Sequence, residues 1–114
     1  MKRMRVYVSG PMSGYAESNF PEFERVEMNL LLNNQIAISP HRNKPHLCAT
    51  DYLRSDIIAL TQCDAITLLD GWENSIGACV EVAVAISLSL VFVDQYGREV
   101  PRPISVTVKD GYDK

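Results

Sequence analysis

Asp64-Ala65-Ile66-Thr67-Leu68-Leu69-Asp70-Gly71-Trp72 is the stretch on which the fold turns. Residues 64–69 are nearly continuously apolar, without the alternation of a sheet that faces water on one side. A short run of this kind suits a strand buried on both faces, and so a parallel sheet covered by helices. Gly71 breaks the run, and Trp72-Glu73-Asn74-Ser75 forms a loop in which Ser75 caps a helix to about Leu88.

The segments on either side follow the same rhythm. Upstream, Thr50 or Asp51 can cap a helix to about Gln62, with Leu53, Ile57 and Leu60 on its inner face. Before it, Gln35-Ile36-Ala37-Ile38 is a strand closed by Ser39-Pro40. Phe23, Val26 and Leu30 recur at helical spacing behind Asn19 as N-cap and Pro21 in the first turn. Met4–Ser9 is the first strand, ended by the loop Gly10-Pro11-Met12-Ser13-Gly14. Downstream, Leu90–Val93 is a fourth strand, Tyr96-Gly97-Arg98 a turn, and Ile104–Val108 a late edge strand. The order β-α-β-α-β-α-β predicts one α/β domain over residues 1–114 with sheet order 2-1-3-4. In such a sheet the ligand lies beyond the carboxyl ends of strands 1 and 3. The loops at 10–14 and 70–75 follow those two strands.

Glu81 stands alone in the apolar run Ala78–Ile86, six residues after Ser75 and with Gly77 between them. A charge on a buried helix is costly unless it is paired or put to use. Two accounts stand: Glu81 reaches solvent or a cation, or it is a nucleophile or general base at the head of a helix lining a cleft. Asp56 reads either as a solvated helix carboxylate or as a second acid. Tyr7 reads as core or as a donor, and Trp72 as a lid or a stacking platform.

Bulk properties narrow the function. The 114 residues are 46% hydrophobic and 22% charged, with a net charge of -3. Phosphate-backbone binding needs clustered Lys and Arg, so nucleic acid is not expected as a partner. No apolar run reaches membrane-spanning length and no signal peptide is evident, so a cytoplasmic protein without a membrane partner is expected. Cys48, Cys63 and Cys79 form no CxxC pair, which suits reduced thiols. His41, His46 and Cys48 invite comparison with a metal site, but no metal or cofactor is expected. GxxxxGK[ST], GxGxxG and GxSxG are all absent. Carboxylates, hydroxyls and aromatics are what remain, a set suited to glycosidic bond cleavage.

The motifs Val6-Tyr7-Val8-Ser9-Gly10-Pro11-Met12-Ser13-Gly14 and Asn19-Phe20-Pro21 resemble the nucleoside 2-deoxyribosyltransferase-like superfamily. Tyr52-Leu53-Arg54-Ser55-Asp56, Cys63-Asp64, Leu68-Leu69-Asp70-Gly71-Trp72 and Ser75-Ile76-Gly77-Ala78-Cys79-Val80-Glu81 extend the likeness, which runs from about residue 4 to 93. It is greatest to a small phage and bacterial branch. The resemblance implies a flavodoxin-like or Rossmann-like three-layer sandwich, assembled as a homodimer or larger, acting on a nucleoside or nucleotide without a cofactor.

It further implies cleavage of the N-glycosidic bond of a 2'-deoxynucleoside or its 5'-monophosphate, by hydrolysis or transfer. Glu81 falls on the nucleophile, while Asp56 and Tyr7 help to position the sugar and the glutamate. Ser9, Gly10, Met12, Ser13 and Gly14 then belong to the substrate loop, with Asp70, Trp72, Ser75 and Gly77 opposite. Ser75 matches the serine of relatives that hydrolyse monophosphates. Pro11 and Cys79 depart from that group, standing in place of a phosphate-binding serine and a glycine. Two other readings are a non-catalytic nucleotide-binding module, of the kind a phage encodes, and an assembly subunit with Glu81 paired across an interface.

Overall fold

The computed structural model describes residues 3–40 and 49–109. Its elements are β1 (Arg5–Ser9), α1 (Phe20–Leu32), β2 (Ile36–Ile38), α2 (Ala49–Thr61), β3 (Ala65–Leu68), α3 (Ile76–Ser87) and β4 (Val91–Phe92). The strands form one parallel sheet in the order β2-β1-β3-β4. This is the predicted α/β arrangement, with β1 and β3 central and the winding reversing between them.

Strand alternation divides the core into two. Val6 and Val8 point to the α1 side, where they pack with Phe23, Val26, Leu30 and Leu69. Tyr7 and Ile66 point to the other side, against Leu60, Val82, Ala85 and Phe92. Ser9 shares the Tyr7 side by the same period of two. The α3 helix is apolar because it lies across that face, burying Ala78, Glu81, Val82 and Ala85 at helical spacing.

Several local expectations change. Asn19 precedes α1 but sits in the left-handed region (φ 64°) and makes no side-chain cap. Its amide instead donates to the Pro11 carbonyl at 2.8 Å, tying the helix entry to the loop after β1. Helix α2 begins at Ala49, so Thr50 and Asp51 fall inside its first turn. The late edge strand at 104–108 does not form. Pro101 and Pro103 offer no N–H to a ladder. The chain beyond β4 turns back first, with a Val93–Glu99 bridge and Val100 N–H donating to the Phe92 carbonyl. Ile104 is then wholly exposed, and Val106 packs on the α2–α3 side of the core.

Among the described residues no helix is long and apolar enough to cross a membrane, and no cluster of metal-binding side chains occurs. His41, His46 and Cys48 lie outside the described residues. Cys63 and Cys79 are buried free thiols.

Candidate active site

At the carboxyl end of β1, two hydroxyls converge on one carboxylate. Tyr7 Oη donates to Glu81 Oε2 at 2.8 Å, and Ser9 Oγ donates to Glu81 Oε1 at 2.6 Å. Tyr7 and Ser9 are fully buried and Glu81 is 4% exposed. Glu81 therefore neither reaches into solvent nor meets a cation among the described residues; two neutral donors hold it. Asp56, 5% exposed on α2, is the other acid against it.

Burial pushes the Glu81 carboxyl from its ordinary 4.5 up to about 8. The Ser9 hydrogen bond pulls it down, the Asp56 charge pushes it up, and the Tyr7 hydrogen bond again pulls it down. Burial, followed by the Glu81 and Asp56 charges, drives the Tyr7 phenol well above 10. Tyr7 thus stays a donor throughout the useful pH range.

Above this cluster opens a cleft of about 360 Å³, with Glu81 and Asp56 in its wall. The loop after β1 supplies Gly10, Pro11, Met12 and Ser13, and the head of α3 supplies Ser75, Ile76, Gly77 and Ala78. The loop can lie this close to β3 because residue 10 has no side chain: a Cβ there would stand 2.5 Å from Leu69 Cβ. Ser75 Oγ accepts from Ala78 N–H at 3.1 Å, capping α3 as expected. The head of α3 lies in this wall, and a helix N-terminus favours negative charge or hydroxyl oxygens.

Glu81, Asp56, Gly10, Met12, Ser13, Ser75 and Gly77 thus share one cleft. Tyr7 and Ser9 lie beneath it and touch Glu81. Gly14 is exposed in the left-handed region (φ 83°), outside the cleft wall. Asp70 and Trp72 line a separate cavity across the 70–72 ridge. Tyr15, Pro40 and Asn74 join the cleft without having been singled out in the sequence. For Tyr15 a signal existed, an aromatic directly after the glycine-bounded loop; its hydroxyl would stand 2.7 Å from a Cβ at Gly71.

Residues 4–94 match the family described as a domain of unknown function (DUF4406). The chain belongs to that family. Its fold is similar to that of a 2-desoxiribosyltransferase from Leishmania mexicana, with a TM-score of 0.64 and 20% identity over 90% of this chain and 77% of that one. A 2-deoxyribosyltransferase from Bacillus psychrosaccharolyticus gives 0.60 and 14% over 85% and 77%. A conserved protein from Enterococcus faecalis V583 gives 0.58 and 18% over 82% of this chain, which spans 63% of that protein's length. No curated protein matches the chain in sequence. The DUF4406 chain therefore shares the deoxyribosyltransferase architecture at identities that speak to fold alone.

Proposed function

We propose that the chain cleaves the N-glycosidic bond of a 2'-deoxynucleoside or its 5'-monophosphate, with Glu81 as nucleophile. The observation that carries this reading is the pair of buried hydroxyls, one on each oxygen of Glu81, beneath a cleft at the β1–β3 switch point. The shared architecture with two 2-deoxyribosyltransferases supports it.

In the resting site Glu81 holds a proton near neutral pH. The ionised fraction, which the Ser9 and Tyr7 donors favour, is the form that attacks. A Glu81 oxygen then bonds to the anomeric carbon, and the glycosidic C–N pair departs with the base, which is protonated from water at the cleft mouth. Water or a second base attacks the same carbon and frees Glu81, the attacker's proton passing to the hydroxide left by the first step. Tyr7 and Ser9 keep the carboxylate aimed through both steps. Ser75 and the first α3 amides receive a 5'-hydroxyl or phosphate.

Chromatography of bases released from a panel of deoxynucleosides and their 5'-monophosphates, with and without an acceptor base, tests the reading. Release that requires Glu81 is expected, and release that persists in Glu81→Ala rules it out. The raised Glu81 pKa also favours a second reading, a nucleotide-binding module in which a neutral carboxyl donates to the ligand. Tight binding that survives in Glu81→Gln, with no base released by wild type, selects that alternative.

A further inference from the structure

On the α1 side of the sheet, beyond the carboxyl ends of β3 and β4, lies a cavity of about 500 Å³. Among the described elements α1 is the one helix packed on this face, so loops close the β3–β4 half. Val26, Leu69 and Val93 contribute apolar wall, and Trp72 borders the cavity while packing on the α2–α3 core.

Thr67 sets its chemistry. It alternates along β3 with Ala65 and Leu69, which pack toward α1, so its side chain faces the same way. The residue is 2% exposed, and its hydroxyl has no hydrogen-bond partner among the described residues. That hydroxyl opens on the cavity, where water or a ligand can pair with it. Two more polar groups line the cavity with capacity to spare. Gln95 Oε1 accepts from Arg25 Nη1 (2.7 Å) and Asn29 Nδ2 (2.8 Å), which leaves its amide N–H groups to donate. The Asp70 carboxylate accepts no hydrogen bond among the described residues.

We propose that this cavity binds an uncharged, amino-substituted heteroaromatic molecule of nucleobase size, for which adenine and cytosine are the simplest probes. The exocyclic amine donates to Asp70, a ring nitrogen accepts from Thr67 or Gln95, and the ring lies against the apolar wall. Anions are disfavoured, because Glu22, Asp70 and Asp94 line the cavity against Arg25 alone. The site is separated from the Glu81 cleft by the 70–72 ridge and does not depend on Glu81 chemistry.

Amide chemical shifts of isotope-labelled protein, titrated with adenine, cytosine and thymine, test the proposal. Saturable shifts at Thr67, Asp70 and Gln95 are expected with the two amino-bearing bases, accompanied by a change in the fluorescence of Trp72, the chain's one tryptophan. The isosteric Thr67→Val and the surface change Asp70→Ala should each weaken binding roughly fivefold. Shifts confined to Gly10, Ser75 and Gly77, equal affinity for thymine, unchanged affinity in both variants, or no saturable shift each overturn it. Base release by Glu81 is a separate readout, so either result can fail alone.

Discussion

The Ser9 hydroxyl and the Glu81 carboxylate meet at 2.6 Å with both side chains shut away from solvent. A hydroxyl donating to a carboxyl oxygen favours the ionised form over the neutral acid. Ser9 lies under the cleft, so its hydroxyl is spent on Glu81. It acts as a positioning residue that also opposes the effect of burial on Glu81.

Ser9→Ala should therefore raise the Glu81 pKa further, because a hydrogen bond that favours the ionised form is lost. Under the proposed chemistry the acid limb of kcat/KM moves to higher pH, while the rate at high pH falls less. A uniform loss at every pH, with the limb unmoved, would show a structural role only. Tyr7→Phe should move the limb in the same direction.

The stability of the protein should carry the imprint of a buried neutral Glu81. Its folded value of about 8 exceeds the ordinary 4.5, so the folded state binds this proton more tightly than the unfolded chain. The contribution is complete below pH 4.5 and is lost as pH rises through about 8. Its slope reaches at most about 1.4 kcal/mol per pH unit. Urea unfolding across that window should show wild type losing stability relative to Glu81→Gln. Parallel curves for the two proteins would contradict the assignment.

Ser75 serves both helix and cleft, and two substitutions separate these duties. Ser75→Ala should cost about 1 kcal/mol through loss of the cap. Ser75→Asp keeps a capping oxygen, so denaturant midpoints should stay near wild type. Its negative charge should nevertheless weaken a 5'-monophosphate more than the free nucleoside. Equal effects on both ligands would remove Ser75 from the phosphate end of the cleft.

Gly10→Ala should destabilise by about 1–3 kcal/mol, because the new methyl overlaps Leu69 Cβ at 2.5 Å. The nearest atom is a Cβ, so shortening Leu69 to Ala should not restore stability. Denaturant unfolding of the single and double variants checks this, and full recovery in the double variant would contradict the proposed contact.

The element order and the parallel sheet were legible because they rest on local patterns. The apolar run at 64–69, the helical spacing of Phe23, Val26 and Leu30, and the Ser75 cap are each read within one turn or one strand. The late strand at 104–108 misled because its alternation says nothing about an available edge. The returning chain at Val93–Val100 already pairs beside β4, and two prolines follow.

By itself the sequence determined the α/β architecture, the switch point between β1 and β3, and the oddity of a lone Glu81 in an apolar helix. Periodicity and the cost of burying charge suffice for those. Only the tertiary structure decided what surrounds that carboxylate. Ser9 and Tyr7 stand 72 and 74 positions away from Glu81, and no local pattern links them. It also decided that Asp70 and Trp72 face another cavity while Tyr15 faces the cleft. The reason is geometric. Residues adjacent in a loop diverge to opposite sides of a ridge, and residues distant in the chain are brought within hydrogen-bonding distance by the sheet and the helix that crosses it.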